Sequence, residues 1–191
     1  MKKIPLCVPS IDKKEYEIVK KILKSKWLTH GKYNHLFEEN FSKYLGVKYA
    51  LSLNSCTSAL ELAIKANNLK KVDEVIVPSF TWVASANAII NGGATPVFCD
   101  SNIDTRNTTA ENIETCITKK TKALMIVHYG GQSCEMDKIL KLVKKYKLIL
   151  IEDSAETIGS KWKNKMAGSF GIGCFSFFPT KNITTGEGGM I

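Results

Sequence analysis

Three residues of chemically useful types stand where apolar runs of the sequence end. Asp153 closes the segment LILIED, so its carboxylate emerges among apolar groups that desolvate it and needs a cationic partner. Lys181 stands between the aromatic segment CFSFFP and the glycine turn TTGEGG, where its amine could attack an aldehyde. Trp82, in PSFTWVASANAI, could present an aromatic plate to a flat heterocycle. These residue types would suit a flat ligand with a positive nitrogen.

Each of these residues also has a simpler interpretation. Asp153 could cap a helix or pair with a nearby lysine. Lys181 could pack its stem and hold its amine in solvent, and Trp82 could belong to the core. Position in the sequence leaves both sets of interpretations open.

The segment NSCTSALELAI predicts a helix that starts with small hydroxyl residues. Ser58 and Glu61 have the spacing of a capping box. Free backbone N–H groups at such a start, with the positive end of the helix dipole, can bind phosphate. Every capped helix has this appearance, so the segment alone is a weak indication.

The elements that must position these residues alternate between strand and helix. Amphipathic helices are predicted over residues 11–24 and 34–45, and Gly46 ends the second. Short apolar runs then alternate with helical stretches, which predicts a mostly parallel sheet in a three-layer α/β/α architecture. In such sheets ligands bind beyond the carboxyl ends of the strands, where all three candidates fall.

Composition excludes several other classes of protein. The 191 residues are 44% hydrophobic and 24% charged, which is typical of a globular domain and excludes disorder. No apolar run reaches the roughly 20 residues of a membrane span, and MKKIPLCVPS lacks the core of a secretory signal. We therefore expect a cytoplasmic protein without a membrane partner.

The net charge of +9 raises the possibility of a nucleic-acid-binding domain. All but one of the 27 basic residues are lysines, however, and they alternate with glutamates as on a solvated helix face. Six cysteines without a CxxC pair, and three histidines without a metal-ligand spacing, predict reduced thiols and no metal site. We expect no nucleic-acid partner.

Six segments, in this order, resemble the pyridoxal phosphate (PLP)-dependent sugar aminotransferases of the DegT/StrS group, which have fold type I. They are NSCTSALELAI, DEVIVPSFTWVASANAI, GATPVFCD, KALMIVHYGGQ, IEDSAE and GCFSFFPTKNITTGEGGM. The resemblance runs from about Pro5 to Ile191. Because the chain ends inside TTGEGGMI, where another strand is expected, and family members are about twice as long, we expect the N-terminal part of a longer protein.

The resemblance implies a domain organisation. Residues 1–191 would form the large, cofactor-binding domain, with the helices of 11–45 leading in and the small C-terminal domain absent. Family members form homodimers in which the active site lies at the interface and a partner loop supplies a phosphate ligand. The fragment alone could therefore bind PLP poorly and be inactive.

The resemblance also implies roles for particular residues. Lys181 resembles the lysine that binds the cofactor aldehyde covalently, and it would act as the catalytic base once released. Asp153 resembles the carboxylate that keeps the pyridine nitrogen protonated, so that the ring can accept electrons. Trp82 resembles the aromatic residue stacked on the ring, and Glu156 resembles the residue near the ring O3′.

The phosphate of the cofactor has its own implied partners. Ser176 resembles a phosphate-binding hydroxyl, and the backbone at Cys56 and Thr57 resembles the helix-start part of the phosphate cup. Many relatives have Ser-Gly-Thr where this chain has Ser55, Cys56 and Thr57, so a side chain replaces a glycine near the phosphate. The backbone N–H groups can still donate hydrogen bonds to the phosphate after that change.

The activity implied is amino transfer from L-glutamate to a nucleotide-linked keto sugar, for cell-surface polysaccharide or related glycan biosynthesis. Segments such as PTKNITTGEGG look closer to members that aminate C4 of a UDP-linked sugar. The substrate-binding residues are left open. Dehydratase relatives have histidine in place of the lysine, so Lys181 favours amino transfer over dehydration; a non-catalytic module that keeps the fold is a further alternative.

Overall fold

The computed structural model describes residues 3–191, which begin with two helices outside the sheet. Helix α1 (Lys13–Ser25) starts at Asp12, whose side chain accepts a hydrogen bond from Lys14 N–H in a capping box with Glu15. Helix α2 (Lys32–Leu45) ends at Gly46, which has φ 71°, a conformation that glycine adopts without strain. Both helices agree with the sequence prediction to within two residues.

The strands that follow are β1 (Ser52–Leu53), β2 (Glu74–Pro78), β3 (Thr95–Cys99), β4 (Thr121–Val127), β5 (Ile149–Asp153), β6 (Lys161–Trp162), β7 (Lys165–Met166), β8 (Ile172–Ser176) and β9 (Gly189–Met190). Seven of them form one sheet, in the spatial order β1-β9-β8-β5-β4-β2-β3. The neighbours from β8 to β3 pair in parallel, and β9 pairs antiparallel with both β8 and β1.

Four helices connect the strands. They are α3 (Cys56–Ala66), α4 (Val83–Asn91), α5 (Ala110–Thr115) and α6 (Met136–Tyr146), with a single 3₁₀ turn at Tyr129–Gly131. A small hairpin of β6 (Lys161–Trp162) and β7 (Lys165–Met166) lies between β5 and β8 and was not predicted. The first strand is shorter than the apolar run at 49–53 indicates.

Both faces of the central strands β2, β4 and β5 are buried, which explains their apolar runs. Along β4, Ala123 and Met125 pack into one apolar cluster with α3 and α4. Leu124 and Ile126 point the other way, into a second cluster with α5 and α6. The predicted three-layer α/β/α architecture with a mostly parallel sheet is therefore confirmed.

Helix α2 is attached to the edge of the sheet by one buried carboxylate and an aromatic cluster. Glu38 accepts hydrogen bonds from the N–H and Oγ of Ser52, at 2.8 and 2.7 Å. Burial opposes ionisation of this carboxyl, but the bonds from Ser52 and His30 outweigh it and lower its pKa to about 2. Phe41 packs edge-on against Phe175 and Phe177.

Helix α1, by contrast, buries none of its own residues. No helix within residues 3–191 has the length and apolar character needed to cross a bilayer.

Candidate functional site

The candidate site lies at the carboxyl ends of the parallel strands. Asp153 ends β5, Lys181 lies in the turn after β8, and Trp82 lies directly before α4. Glu156 follows β5. All four residues line two adjoining cavities, of about 280 and 440 Å³. The structure thus brings together the lysine and the aspartate that the sequence singled out, although they are 28 positions apart.

Asp153 is an incompletely compensated charge. Its side chain accepts a hydrogen bond from Ser85 Oγ at 2.7 Å and a longer one from Ala155 N–H at 3.3 Å. Burial raises the pKa of the carboxyl, although these two bonds and the positive charge of Lys181 act in the opposite sense. No cation within residues 3–191 forms an ion pair with it. Neither a helix cap nor a salt bridge therefore accounts for Asp153.

The two residues that orient this carboxylate, Ser85 and Thr81, were not predicted from the sequence. Ser85 is fully buried and gives its only hydroxyl proton to Asp153. Its Oγ lies 2.9 Å from Thr81 Oγ1, so Thr81 must be the donor in that second hydrogen bond. Thr81 precedes the N-cap of α4 and Ser85 lies in its first turn, so only the nearness of two hydroxyl residues at a helix start could have indicated the pair.

Lys181 is held at the cleft by a carboxylate other than Asp153. Its Nζ lies 3.1 Å from Glu156 Oε1, and its side chain is 21% exposed. The second oxygen of Glu156 accepts a hydrogen bond from Gly130 N–H at 3.0 Å. The amine is therefore paired with a carboxylate at the wall of the cleft.

The larger cavity ends at the start of α3. Ser176, Cys56 and Thr57 line this end together with Lys181. The first N–H groups of a helix have no partner within it. The Ser55 side chain accepts from Ser58 N–H, which leaves the N–H groups of Cys56 and Thr57 without an acceptor in the helix. Ser176 Oγ accepts from Phe178 N–H at 3.3 Å, so its own proton is available to a ligand.

The predicted capping box of Ser58 and Glu61 is wrong. Ser55 caps the helix, three positions earlier, and Glu61 instead accepts from Asn91 Nδ2 on α4 at 2.9 Å. Strand β9 approaches the start of α3 closely, since a Cβ on Gly189 would lie 2.3 Å from the Ser55 carbonyl carbon. A glycine is required at that position.

The Cys56 side chain takes no part as a thiolate. Burial, together with the charge of Asp153, raises the pKa of the Cys56 thiol well above its usual range. Cys56 therefore contributes its backbone to the site, and its neutral side chain packs into the apolar cluster beneath α3.

Trp82 is 78% exposed, so it is not a core residue. Its side chain lines both cavities of the cleft. An exposed indole beside a concave site presents apolar surface that a planar ligand could cover.

A profile of the DegT/DnrJ/EryC1/StrS aminotransferase family matches residues 9–191. The GDP-perosamine synthase of Escherichia coli O157:H7 is 48% identical, over all of this chain and 53% of that protein. The PLP form of Spr1654 from Streptococcus pneumoniae superimposes with a TM-score of 0.94 at 34% identity, covering 98% of this chain and 52% of the other.

A structure with a different stated activity is also similar. The GDP-4-keto-6-deoxy-D-mannose-3-dehydratase of E. coli, with bound hydrated PLP, superimposes with a TM-score of 0.92 at 35% identity, covering 98% of this chain and 50% of that one. The chain spans about half the length of each of these proteins.

Proposed function

The chain belongs to the DegT/DnrJ/EryC1/StrS aminotransferase family, and from that premise we propose that it forms the cofactor-binding part of a PLP-dependent enzyme that transfers an amino group to a nucleotide-linked keto sugar. One observation carries the proposal. The amine of Lys181 and the buried carboxylate of Asp153 face the same cleft, whose far end is a helix start with free N–H groups.

The residues of the cleft fit this cofactor chemically. Asp153 is a buried carboxylate without a cation, and a protonated pyridine nitrogen would supply one. The N–H groups of Cys56 and Thr57, with the hydroxyl of Ser176, would hold a phosphate at the positive end of α3. Trp82 would cover one face of the ring.

When bound, PLP supplies an aldehyde and a ring that accepts electrons as bonds at the substrate carbon break. Lys181 is the residue of this cleft whose primary amine can bond to an aldehyde carbon. Once the amino group of the donor has displaced Nζ from that carbon, the freed amine of Lys181 would be able to take the proton from the donor Cα. Asp153 would hold a proton at the ring nitrogen. Glu156, fixed by Gly130 N–H, keeps the lysine at the cleft wall.

The identity of the substrates forms a finer part of the proposal. The sequence resemblance favours C4 of a UDP-linked sugar and L-glutamate as the donor. The similarity to a GDP-perosamine synthase supports a GDP-linked sugar as well. We propose a role in the biosynthesis of cell-surface polysaccharide or a related glycan, in the cytoplasm; six unpaired cysteines support a reducing compartment.

Dehydration is the second candidate, because a dehydratase has nearly the same backbone. The difference depends on one side chain. A primary amine at position 181 can hold the aldehyde covalently and carry a proton, whereas an imidazole cannot form that bond. The intact Lys181 and Asp153 support amino transfer, and they equally oppose a non-catalytic module.

The domain organisation is also a proposal. Residues 1–191 would be the large domain, with a smaller C-terminal domain and a second subunit completing the active site. Relatives of about twice the length support this arrangement. The side chains of Ile18, Val19 and Leu23 on α1 are apolar and exposed, which supports a further domain or subunit that covers this helix.

The test of the function is a substitution of the lysine in the full-length enzyme. We expect Lys181→Ala to abolish amino transfer from L-glutamate to GDP- and UDP-linked keto sugars. Mass spectrometry of the amino sugar product measures this reaction. The visible absorbance of the bound cofactor should shift to that of the free aldehyde. Lys147→Ala, at the exposed C-terminal cap of α6, is the matched control and should retain full activity.

Residual activity near that of the native enzyme in Lys181→Ala would contradict the proposed role. Release of ammonia without an amino sugar product, in the native enzyme, would instead favour dehydration.

A further inference from the structure

A second group of potential ligands lies away from the cleft, where α2 meets the edge of the sheet. Nε2 of His30 is 3.2 Å from Glu38 Oε1, and Nδ1 of His35 is 3.4 Å from Glu38 Oε2. The two imidazole rings stand edge to face, with centroids 4.8 Å apart. One ligand atom from each residue lies within 4.8 Å of the other two. The sequence predicted no metal-ligand spacing for these histidines.

One of these distances already agrees with a tetrahedral metal site. With bonds of about 2.0–2.2 Å to nitrogen and oxygen, neighbouring ligand atoms lie about 3.4 Å apart. His35 Nδ1 lies at this distance from Glu38 Oε2, whereas His30 Nε2 lies 3.2 Å from the other oxygen, Oε1. His30 can turn towards Oε2 and His35 by side-chain rotation, because His30 and His35 are 51% and 70% exposed.

Glu38 is a preorganised ligand, unlike an ordinary surface carboxylate. Its side chain is only 10% exposed, and Ser52 donates both its N–H and its hydroxyl to the same oxygen, Oε1. Oε2 therefore remains for an ion. Outer hydrogen bonds that orient a ligating carboxylate in this way are a regular feature of metal sites.

The loop that carries His30 is also fixed in place. The carbonyl oxygen of His30 accepts a hydrogen bond from Trp27 Nε1 at 3.1 Å, and the N–H of Gly31 donates to Asn34 Oδ1 at 3.2 Å. The loop therefore turns back over the first turn of α2, where His35 and Glu38 lie one turn apart. This fold-back, which residue spacing does not reveal, brings His30 to the other two residues.

We propose that His30, His35 and Glu38 bind one divalent ion of the zinc class. Two imidazoles and a carboxylate suit Zn²⁺, Co²⁺ or Ni²⁺, whereas Mg²⁺ and Ca²⁺ prefer all-oxygen sites. A fourth position remains open to solvent. The ion would join the His30 loop to α2 and, through Ser52, to the sheet. Its role is separate from the proposed amino transfer.

The alternative is that both imidazoles only hydrogen-bond to the carboxylate. An ion would replace these hydrogen bonds with bonds from unprotonated ring nitrogens. The two arrangements contain the same residues, so metal titration is the measurement that separates them.

The experiment is a titration of the full-length protein, without a polyhistidine tag, with Co²⁺ and Zn²⁺ by calorimetry and absorption spectroscopy. We expect one ion per chain, and a cobalt spectrum without the near-ultraviolet band of thiolate ligands. His35→Gln should weaken zinc binding by more than about tenfold. Ser52→Ala, which removes one outer hydrogen bond, should weaken it by about 10- to 100-fold. Magnesium should not compete.

Cys7→Ser is the matched control, since Cys7 is an exposed soft ligand outside the cluster. This variant should bind zinc as tightly as the native protein. At the same zinc concentration, zinc should also raise the unfolding temperature of Cys7→Ser more than that of His35→Gln. Because both histidines are exposed, the zinc-free variants are expected to fold, which circular dichroism checks. Absence of binding, a thiolate band, or equal binding by the double variant with His30→Gln and His35→Gln would overturn the proposal.

Discussion

Two neighbouring carboxylates at the end of β5 have opposite surroundings. Glu152 is fully buried and accepts four hydrogen bonds: from His128 Nε2 at 3.0 Å, and from the N–H groups of Gly168, Phe170 and Gly171 at 2.9, 2.7 and 2.6 Å. Asp153, on the other face, is 6% exposed and accepts only from Ser85 and Ala155. One carboxylate is enclosed by donors, and the other faces a cavity.

The difference shows which buried charge serves the fold and which is free for a ligand. Four donors satisfy Glu152 from within the chain, so it anchors the loop of residues 168–171 against β5. Asp153 has only two donors, and they do not offset the desolvation that raises its pKa. Burial alone does not separate the two residues. The number of donors does.

The partner of Glu152 is a neutral histidine. Nδ1 of His128 accepts a hydrogen bond from Cys134 N–H at 3.1 Å, so that nitrogen carries no proton. The ring proton therefore lies on Nε2 and is donated to Glu152. His128 also lines the cleft, but its ring is fully engaged in holding the region behind Asp153.

The strongest test of the contrast is Asp153→Asn in the full-length enzyme. Asparagine has nearly the same shape but cannot keep a ring nitrogen protonated, so proton transfer should slow by about 1,000-fold or more, which corresponds to about 4 kcal/mol. Single-turnover kinetics of the first half-reaction measure this step. Cofactor binding should persist. An unchanged rate would remove Asp153 from the mechanism and would make the two carboxylates equivalent.

The same substitution, Asp153→Asn, should slow catalysis but stabilise the folded protein. The pKa of Asp153 is raised in the folded state, so the folded protein binds more protons than the unfolded chain. Stability therefore falls as pH rises from about 4, the usual aspartate pKa, through the raised pKa. Asp153→Asn should stabilise the cofactor-free protein above this window, with the gain disappearing at lower pH. Thermal unfolding over a pH series measures the effect. A loss of stability at every pH would contradict it.

Glu152→Gln should destabilise the protein by about 3 kcal/mol, because an amide nitrogen would face the donors Gly168 N–H and His128 Nε2. The measurement is denaturant unfolding of the cofactor-free protein beside Asp153→Asn. Equal stability of the two variants would show that donor number does not distinguish these carboxylates. Glu39→Gln, on an exposed surface of α2, is the control and should change stability little.

Much of this arrangement was predictable from the sequence, and the failures have physical causes. Strand periodicity placed Asp153 and Lys181 at one edge of the sheet, because parallel strands end on the same side. It could not show that Ser85 turns inward to Asp153, since a small hydroxyl in a helix usually has a local partner. The cap of α3 was misplaced because Ser55 and Ser58 are both suitable N-cap residues, and Glu61, which favoured Ser58, pairs with Asn91 of α4 instead.

The mildest test concerns Ser85, whose hydroxyl fixes the orientation of Asp153. Ser85→Ala should lower kcat by about tenfold, or about 1.4 kcal/mol, since the carboxylate loses its shorter hydrogen bond but keeps its charge. Ser85→Thr retains the hydroxyl and should restore most of the rate. The KM for the amino donor should change little in either variant, because Ser85 is fully buried beneath Asp153. A rate loss shared equally by Ser85→Thr would assign the effect to packing. If Ser85→Ala lost as much activity as Asp153→Asn, the carboxylate would depend on this single donor for its ionised state as well as for its orientation.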